Sequence, residues 1–290
     1  MASTLIQTKG LKRPKNTLDK FYTSPSIVKL CLQQITQHLS INPILDLVIE
    51  PSAGNGAFID GIKSICHNYL FYDISPAHDE IAQQDYLTLK LGHDILGIDS
   101  DIDSKKEKKI HVIGNPPFGK QSSLAIKFIK KSTLYCDSMS FILPKSFKKD
   151  SMLCHFPLNF HLIKQVDLPN NSFLVNGIAH NVPCVFQIWE KRADVREVKE
   201  KLVPNQNYSF VKKNENPDIS FRRVGVYAGN ISRDIENKSA QSHYFIKSKN
   251  IISDQLLEKL NEIKYSHDED TVGAKSISKQ ELIKELNMIL

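Results

Sequence analysis

The chain has 290 residues, of which 41% are hydrophobic and 24% are charged. That length and composition allow one substantial hydrophobic core and a small second unit. The formal net charge of +6 is compatible with a polyanionic partner and does not require one. No stretch approaches the length of a membrane span and the polar start lacks the apolar core of a signal peptide, so we expect an intracellular protein without a membrane partner.

The five cysteines and ten histidines do not form the spaced groups that hold metal ions. No Cys-x-x-Cys pair occurs, and no histidine has cysteine or carboxylate partners at ligand spacing, so we expect no metal site. An odd number of cysteines in apolar surroundings predicts reduced, buried, intracellular thiols. These residues are Cys31, Cys66, Cys136, Cys154 and Cys184.

Predicted strands and helices alternate over the first two thirds of the chain. After a polar, basic arm (residues 1–19), Ser24 and Pro25 predict the start of a helix that ends near Leu39. Four strand-like runs lie before Asn115, among them residues 44–49, 69–73 and 110–113. A helix over 125–132 and strands over 138–144, 163–168 and 182–190 follow, the last two antiparallel. This alternation indicates an α/β fold whose sheet is covered on both faces.

A change of pattern marks a second unit in the last third of the chain. The charged residues 191–201 form the boundary, and short β segments over 209–211, 219–227 and 244–246 follow, interrupted by Gly229 and Asn230. Two amphipathic helices are expected over 254–263 and 279–290, separated by an acidic linker at 267–270.

A strand that ends in the acidic residue Glu50 runs into a turn of small residues. The turn contains Ser52, Ala53, Gly54 and Gly56, and its backbone can pass close to a ligand. A strand, a glycine turn and a helix form the nucleoside-binding corner of Rossmann-like folds. The spacing matches neither the dinucleotide fingerprint nor a P-loop, so this motif alone is weak evidence for a particular ligand.

Two further acidic positions extend the nucleoside-binding pattern. Asp73 ends the next strand, where its carboxylate is placed to accept hydrogen bonds from a ribose diol. Farther along the chain, Asp85 and Tyr86 offer an acceptor for an adenine amine and a ring that suits the face of the base.

The most informative motif is Gly114-Asn115-Pro116-Pro117-Phe118, directly behind the apolar run 110–113. Each proline fixes its own φ, so the Asn115 amide and the neighbouring carbonyl groups can be held in one geometry. The Asn115 side-chain oxygen and the Pro116 carbonyl can each accept one hydrogen bond, and the Phe118 ring can stack on a base. Such a clamp suits a planar amine with two N–H donors.

In this order, the Glu50–Gly56 turn, Asp73, Gln84-Asp85-Tyr86-Leu87 and Asn115-Pro116-Pro117-Phe118 resemble a known enzyme family. They are similar to S-adenosylmethionine-dependent amino-methyltransferases of the gamma arrangement, the TaqI-like adenine-N6 enzymes, in which the cofactor motif precedes the catalytic one. The resemblance covers roughly residues 20–191. It implies a Rossmann-like class I methyltransferase fold with a mostly parallel seven-stranded sheet, S-adenosylmethionine as cofactor, and adenine N6 in DNA or RNA as acceptor.

Some residues gain a role only through this resemblance. Phe21, Tyr22 and Thr23 resemble an N-terminal motif that lies over the methionine part of the cofactor, and Phe173 lies near an aromatic position that packs against a flipped base. Residues 171–190 resemble the closing antiparallel hairpin of the fold. The implied catalytic residues are Asn115, Pro116, Pro117 and Phe118. The implied cofactor-binding residues are Phe21, Tyr22, Thr23, Glu50, Ser52, Ala53, Gly54, Gly56, Asp73, Asp85, Tyr86 and Asn115.

Basic residues near the predicted active edge are expected to contact a nucleic acid together with Phe118 and Phe173. Lys145, Lys148 and Lys149 follow the strand over 138–144 and should lie near phosphate groups. Arg222 and Arg223 precede Tyr227 in a segment that suits backbone contacts and base stacking. Ion pairs between these arginines and carboxylates of the main domain are an equally open alternative.

The expected organisation is a basic arm (1–19), a methyltransferase domain (20–192) and an extension (193–290) that could serve in nucleic-acid recognition. One alternative is a different acceptor for the same clamp, namely a protein glutamine amide or another planar amine. A second alternative is a catalytically silent subunit that binds nucleic acid for an active partner. The basic charge and Phe118 argue against the first, and the retention of both pockets argues against the second. The choice between DNA and RNA and the oligomeric state stay open.

Overall fold

The structure is a computed structural model that describes residues 21–90, 92, 108–198, 200–265 and 275–290. The expected basic arm over residues 1–19 and the acidic linker at 267–270 lie outside the described residues. Up to residue 192, the described helices are α1 (Pro25–His38), α2 (Ile59–Ile65) and α3 (Ser123–Ser132). The described strands there are β1 (Tyr22–Thr23), β2 (Leu47–Glu50), β3 (Tyr69–Asp73), β4 (Ala82–Gln83), β5 (Ile110–Gly114), β6 (Ser138–Pro144), β7 (Phe160–Asp167), β8 (Phe173–Val175), β9 (Ile178–His180) and β10 (Cys184–Lys191).

Seven of these strands form one sheet in the order β4-β3-β2-β5-β6-β10-β7. The strands from β4 to β6 are parallel to their neighbours. Only β10 runs the other way, antiparallel to both β6 and β7. This mostly parallel sheet with one reversed strand is the arrangement of Rossmann-like class I methyltransferases, so the predicted fold class is confirmed.

Helices cover both faces of the sheet, which explains why its inner strand β2 is buried throughout. Val48 packs with residues of α1 and α2 in one hydrophobic cluster. Leu47 and Ile49 lie in a second cluster with residues of α3. Near-continuous apolar runs are typical of parallel strands with two covered faces. Each fully buried aliphatic side chain contributes roughly 1.5–3 kcal/mol to folding.

Helix α1 begins at the predicted position, but the Ser24 side chain does not cap its backbone N–H groups. Ser24 has the extended backbone of an N-cap residue and Pro25 is the first helical residue. The Ser24 hydroxyl, however, is hydrogen-bonded to the Ser26 hydroxyl at 3.2 Å and not to a backbone N–H. The helix is held by its apolar face, which buries Ile27, Val28, Cys31 and Ile35.

All five cysteines are free thiols, and four of them are buried as predicted. Cys154 is exposed, so the prediction was wrong at that position. It lies on a short 3₁₀ helix (Asp150–His155) that has no buried residue. Among the helices of the described residues, none is long and apolar enough to cross a membrane.

The last third of the chain folds around its own hydrophobic cluster, which includes Phe221, Ile246 and Leu286. Its four strands pair in the order β11-β14-β12-β13, and every pairing is antiparallel. The predicted β-containing extension is therefore present. Its described elements are β11 (Tyr208–Val211), β12 (Ile219–Arg222), β13 (Ile231–Ser232), β14 (His243–Ser248), α4 (Asp254–Asn261) and α5 (Lys279–Ile289).

A hydrogen bond joins this C-terminal unit to the main domain just beyond the end of β6. The Nζ of Lys149 donates to the carbonyl oxygen of Ser276 at 2.7 Å, and Lys149 is only 8% exposed. Ser276 in turn forms a β-bridge with Val224, two residues beyond β12. The loop that follows β12 is thus attached beside the edge at which β6 ends.

Candidate active site

A cavity of about 480 Å³ lies at the carboxyl ends of β2, β3 and β5. The loops that follow these strands form its walls, as expected for a ligand site in an open α/β sheet. Strand β1 and the residue before it also line the cavity. The structure brings together every predicted catalytic and cofactor-binding residue except Gly56: Phe21, Tyr22, Thr23, Glu50, Ser52, Ala53, Gly54, Asp73, Asp85, Tyr86, Asn115, Pro116, Pro117 and Phe118.

Gly54 and Gly56, the two glycines of the turn after β2, have different roles in the structure. Gly54 has φ +55°, and an added Cβ there would lie 3.1 Å from Cε1 of Tyr22. Gly56 has φ +82°, and its Cβ would approach Cδ1 of Ile59 to 2.7 Å. Both positions favour glycine because of their positive φ. Gly54 lets the Tyr22 ring approach the cavity wall, whereas Gly56 shapes the turn without lining the cavity.

Asp73 holds this turn against the end of β3. One carboxylate oxygen accepts the Gly54 N–H at 2.8 Å, and the other accepts the Ser75 N–H at 2.7 Å. A carboxylate oxygen has more than one acceptor site. Asp73 can therefore fix the glycine turn and still accept a hydrogen bond from a ligand in the cavity.

Glu50 is the least satisfied acid of the site. It is 2% exposed, and its buried Oε2 has no hydrogen-bond partner in the described residues. Burial raises the pKa of Glu50 to about 8, and the nearby negative charge of Asp73 adds to the rise. Because an unpaired buried carboxylate is costly, this position favours a ligand that carries N–H donors or positive charge.

Asp85 and Tyr86 form another part of the cavity wall. Asp85 accepts the Leu87 N–H at 2.9 Å through one oxygen. Tyr86 is 1% exposed and stacks on Phe128, with ring centroids 5.4 Å apart. Its hydroxyl is hydrogen-bonded to the hydroxyls of Ser132 and Tyr135. Tyr86 thus offers only its ring to the cavity, because the core holds its polar end.

Asn115 is oriented by the N-terminal segment. Its Nδ2 donates to the carbonyl oxygen of Phe21 and to Oγ1 of Thr23, both at 3.2 Å. The Ser52 hydroxyl donates to the Asn115 main-chain carbonyl at 3.2 Å. Within the described part of the chain, nothing donates to Oδ1 of Asn115 or to the Pro116 carbonyl. The side-chain amide is therefore turned so that two neighbouring acceptors remain available.

The N-terminal segment and the segment after β7 meet in a small sheet of order β1-β8-β9. In this sheet Thr23 pairs with Phe173 and Tyr22 with Leu174. Phe173 is completely buried and packs edge-on against Phe21 at 6.5 Å. The expectation that Phe173 contacts a flipped base is wrong, since its ring supports Phe21 from behind and does not line the cavity.

The basic residues expected at the acceptor side are mostly engaged within the protein. Lys148 pairs with Asp167 at 3.1 Å, and Lys149 is buried against Ser276. Neither they nor Lys145 line the cavity. The expected phosphate contact is therefore wrong for Lys149, whose ammonium group is enclosed at the junction of the two units.

Arg222 and Arg223 do not form the ion pairs with main-domain carboxylates that were one of the two expectations, and their contact with a nucleic acid stays a prediction. Arg222 Nε donates to the Val224 carbonyl at 3.0 Å. Arg223 donates from Nε and Nη2 to the Gln241 carbonyl at 3.2 and 2.9 Å and lies over the Tyr244 ring. Both guanidinium groups thus form hydrogen bonds within the C-terminal unit, and no described carboxylate pairs with them.

Several apolar wall residues were missed by the sequence analysis. Ile74 directly follows Asp73 and is 57% exposed although it is aliphatic, and this position after a strand-ending acid is the signal that identifies it. The signals for the others are weaker because their orientation depends on helix packing. The missed residues include Phe58, Ile74, Leu124 and Phe128.

The chain matches no protein-family model, and no curated protein matches its sequence. Among solved structures, it is similar to the 23S rRNA methyltransferase ErmE, with 14% identity, 62% of this chain and 73% of that chain covered, and a TM-score of 0.42. An S-adenosylmethionine-dependent methyltransferase from Anabaena variabilis has 12% identity, coverage of 59% and 87%, and a TM-score of 0.41. An rRNA methylase from Streptococcus thermophilus has 12% identity, coverage of 58% and 95%, and a TM-score of 0.34.

Proposed function

We propose that this chain is an S-adenosylmethionine-dependent methyltransferase, similar to the TaqI-like enzymes, that modifies the N6 amine of adenine in a nucleic acid. The observation that carries the proposal is the pair of available acceptors formed by Asn115 Oδ1 and the Pro116 carbonyl. They lie in the wall of the cavity that also contains Glu50 and Asp73. A planar amine has two N–H donors, which match these two acceptors in number.

The acidic part of the cavity fits the proposed cofactor. S-adenosylmethionine carries an ammonium group, a sulfonium, a ribose diol and an adenine ring. The buried, unpaired Oε2 of Glu50 suits a cationic donor, and Asp73 suits the diol. Ile74 and Phe128 offer apolar surface for a ring, and Asp85 offers an acceptor beside them. When bound, S-adenosylmethionine would supply an electrophilic methyl group and leave as a neutral thioether, and the methylated amine would lose one N–H proton.

The protein's contribution to the chemistry is the positioning of a weak nucleophile. The lone pair of an adenine amine is delocalised into the ring. Hydrogen bonds from both N–H groups to Asn115 Oδ1 and to the Pro116 carbonyl favour a pyramidal nitrogen with a localised lone pair. Phe118 holds the base by stacking. Correct placement of two reactants can lower a barrier by roughly 7–11 kcal/mol. A base in a duplex has to be flipped out to reach this cavity.

The decisive experiment is incubation of the purified chain with methyl-labelled S-adenosylmethionine and separate pools of DNA, RNA and capped RNA, followed by nucleoside analysis. A peptide with an accessible glutamine is included as a further acceptor. We expect label in N6-methyladenine from at least one pool and about 10²–10³-fold less label with Asn115→Ala. Label on the glutamine amide alone, or on another base position, would overturn the proposed acceptor. Calorimetry that detects no cofactor binding by the wild type would overturn the methyltransferase assignment.

A further inference from the structure

The C-terminal unit presents two exposed side chains at the tip of the loop between β12 and β13. Val226 is 84% exposed and Tyr227 is 65% exposed. In the described residues no hydrogen bond or ring contact involves the Tyr227 side chain. An aromatic ring held in solvent beside an aliphatic side chain has no role in the core of this unit.

The loop that carries these side chains is fixed by backbone hydrogen bonds. Gly225 N–H donates to the Lys275 carbonyl at 2.8 Å, and Gly229 N–H donates to the Arg222 carbonyl at 2.8 Å. Across the tip, Ala228 N–H donates to the Gly225 carbonyl at 3.0 Å. A ring on such a preorganised loop loses little conformational entropy when it binds a partner.

The position of the loop relates it to the proposed active site. Val224 forms a β-bridge with Ser276. The Ser276 carbonyl oxygen accepts a hydrogen bond from the ammonium group of Lys149, just beyond β6. Strand β6 is the direct neighbour of β5, whose carboxyl end leads to Asn115. The loop that carries Val226 and Tyr227 is therefore attached to the main domain near the sheet edge at which the cavity lies.

We propose that Tyr227, supported by Val226, stacks on an unpaired nucleobase of the polynucleotide that supplies the acceptor adenine. This inference rests on the proposed function, because it takes the acceptor to be a nucleic acid. Two side chains are too small an area for a protein partner, since stable interfaces bury about 800 Å² on each partner. Stacking on a single base needs only one ring, and the net charge of +6 favours a polyanion.

The test is the affinity of the full chain for a fluorescein-labelled, mixed-sequence single strand of DNA and of RNA, compared with a duplex. Tyr227→Ala should weaken single-strand binding about 5- to 150-fold, the equivalent of about 1–3 kcal/mol for one stacked base. Tyr227→Phe should stay within about twofold, because the ring is retained. Ile251→Ala is the matched control, since Ile251 is 95% exposed elsewhere in the same unit.

Two further readouts separate stacking from other effects. The log–log dependence of affinity on salt should keep its slope in Tyr227→Ala, because no phosphate contact is removed. Cofactor affinity, measured by calorimetry, should be unchanged. Equal single-strand affinities for the wild type and Tyr227→Ala, or an equal loss for the duplex, would overturn the inference. If the wild type binds single strands through Tyr227 but does not bind S-adenosylmethionine, the proposed function fails and the stacking role stands.

Discussion

Two carboxylates flank the same strand, β2, and their surroundings are opposite. Asp46 precedes the strand at its amino end and is 3% exposed, whereas Glu50 is its last residue and is 2% exposed. Equal burial therefore does not distinguish them. The difference lies in their hydrogen bonds.

Asp46 accepts three hydrogen bonds from two parts of the chain, the loop before β2 and the start of β5. Its Oδ2 accepts the Asn42 N–H at 2.6 Å and Nε2 of His111 at 3.2 Å, and its Oδ1 accepts the Lys109 N–H at 3.0 Å. His111 is in turn hydrogen-bonded through Nδ1 to the Ser138 hydroxyl at 2.7 Å. Burial alone would raise the pKa of Asp46, but these hydrogen bonds hold it below the usual value.

Glu50 has no such network around Oε2, and its pKa is raised to about 8. The amino end of the sheet thus satisfies its buried acid internally, and this network stabilises the fold. The carboxyl end leaves its buried acid without a partner, which is unfavourable for the empty protein. An unsatisfied acid in a cavity wall is what we expect where a ligand completes the hydrogen bonding.

The largest effect on stability is expected at the amino end. Asp46→Ala should lower the free energy of unfolding by about 1–3 kcal/mol, because the buried His111 loses its acceptor, and two part-buried backbone N–H groups lose theirs as well. Chemical denaturation monitored by circular dichroism measures this change. An unchanged midpoint and slope would mean that the amino-end network does not stabilise the fold.

The largest effect on catalysis is expected at the carboxyl end. Asn115→Ala should reduce methyl transfer by about 10²–10³-fold, the range for the loss of one preorganised polar group in an active site. Its cofactor affinity should stay close to that of the wild type, since the amide is assigned to the acceptor amine. Initial rates and calorimetry test the two parts separately. A near wild-type rate would contradict the role of the clamp.

Replacing each of the two acids with its matched amide sharpens the comparison. Glu50→Gln should weaken cofactor binding about 5- to 150-fold, or about 1–3 kcal/mol, without lowering the free energy of unfolding. Asp46→Asn should do the reverse, because an amide NH₂ cannot accept the backbone N–H groups that surround it. Calorimetry gives the cofactor affinity of each variant, and denaturation gives its free energy of unfolding. The same response from both would show that the two acids do not differ in role.

The contributions of Glu50 and Asp46 to the free energy of unfolding should change with pH in opposite directions. The folded pKa of Glu50, about 8, lies above its ordinary value of 4.5. The native state therefore keeps a proton that the unfolded chain releases, and stability from this group falls as the pH rises from about 4.5 to about 8. The pKa of Asp46 is lowered, so its contribution is lost as the pH falls through the folded pKa. Burial also lowers the pKa of His111, so its contribution is lost as the pH falls below about 6.5.

This prediction is tested with unfolding free energies of the wild type and Glu50→Gln at several pH values. The advantage of the variant should grow with pH and level off near pH 8, because the variant lacks the titrating group. A difference that is constant across this range would contradict the raised pKa of Glu50.

Local patterns in the sequence determined the elements and most of the cavity wall. Apolar runs that end in Glu50, Asp73 and Asn115 predict strands whose carboxyl ends meet at one edge, because parallel strands share a direction. Glycine and proline define the turns after them through their own φ preferences. These signals act within a few residues, so no long-range information was needed.

Tertiary structure decided burial and the choice of hydrogen-bond partners. Phe173 supports Phe21 from behind because β8 pairs with β1, and Lys149 is enclosed because the C-terminal unit packs on it. Arg222 and Arg223 bond to carbonyl oxygens that no spacing rule relates to them. Asp46 and Glu50 have the same chemistry and lie four residues apart. Only the chain segments that fold around each acid decide that one is satisfied and the other is left for a ligand.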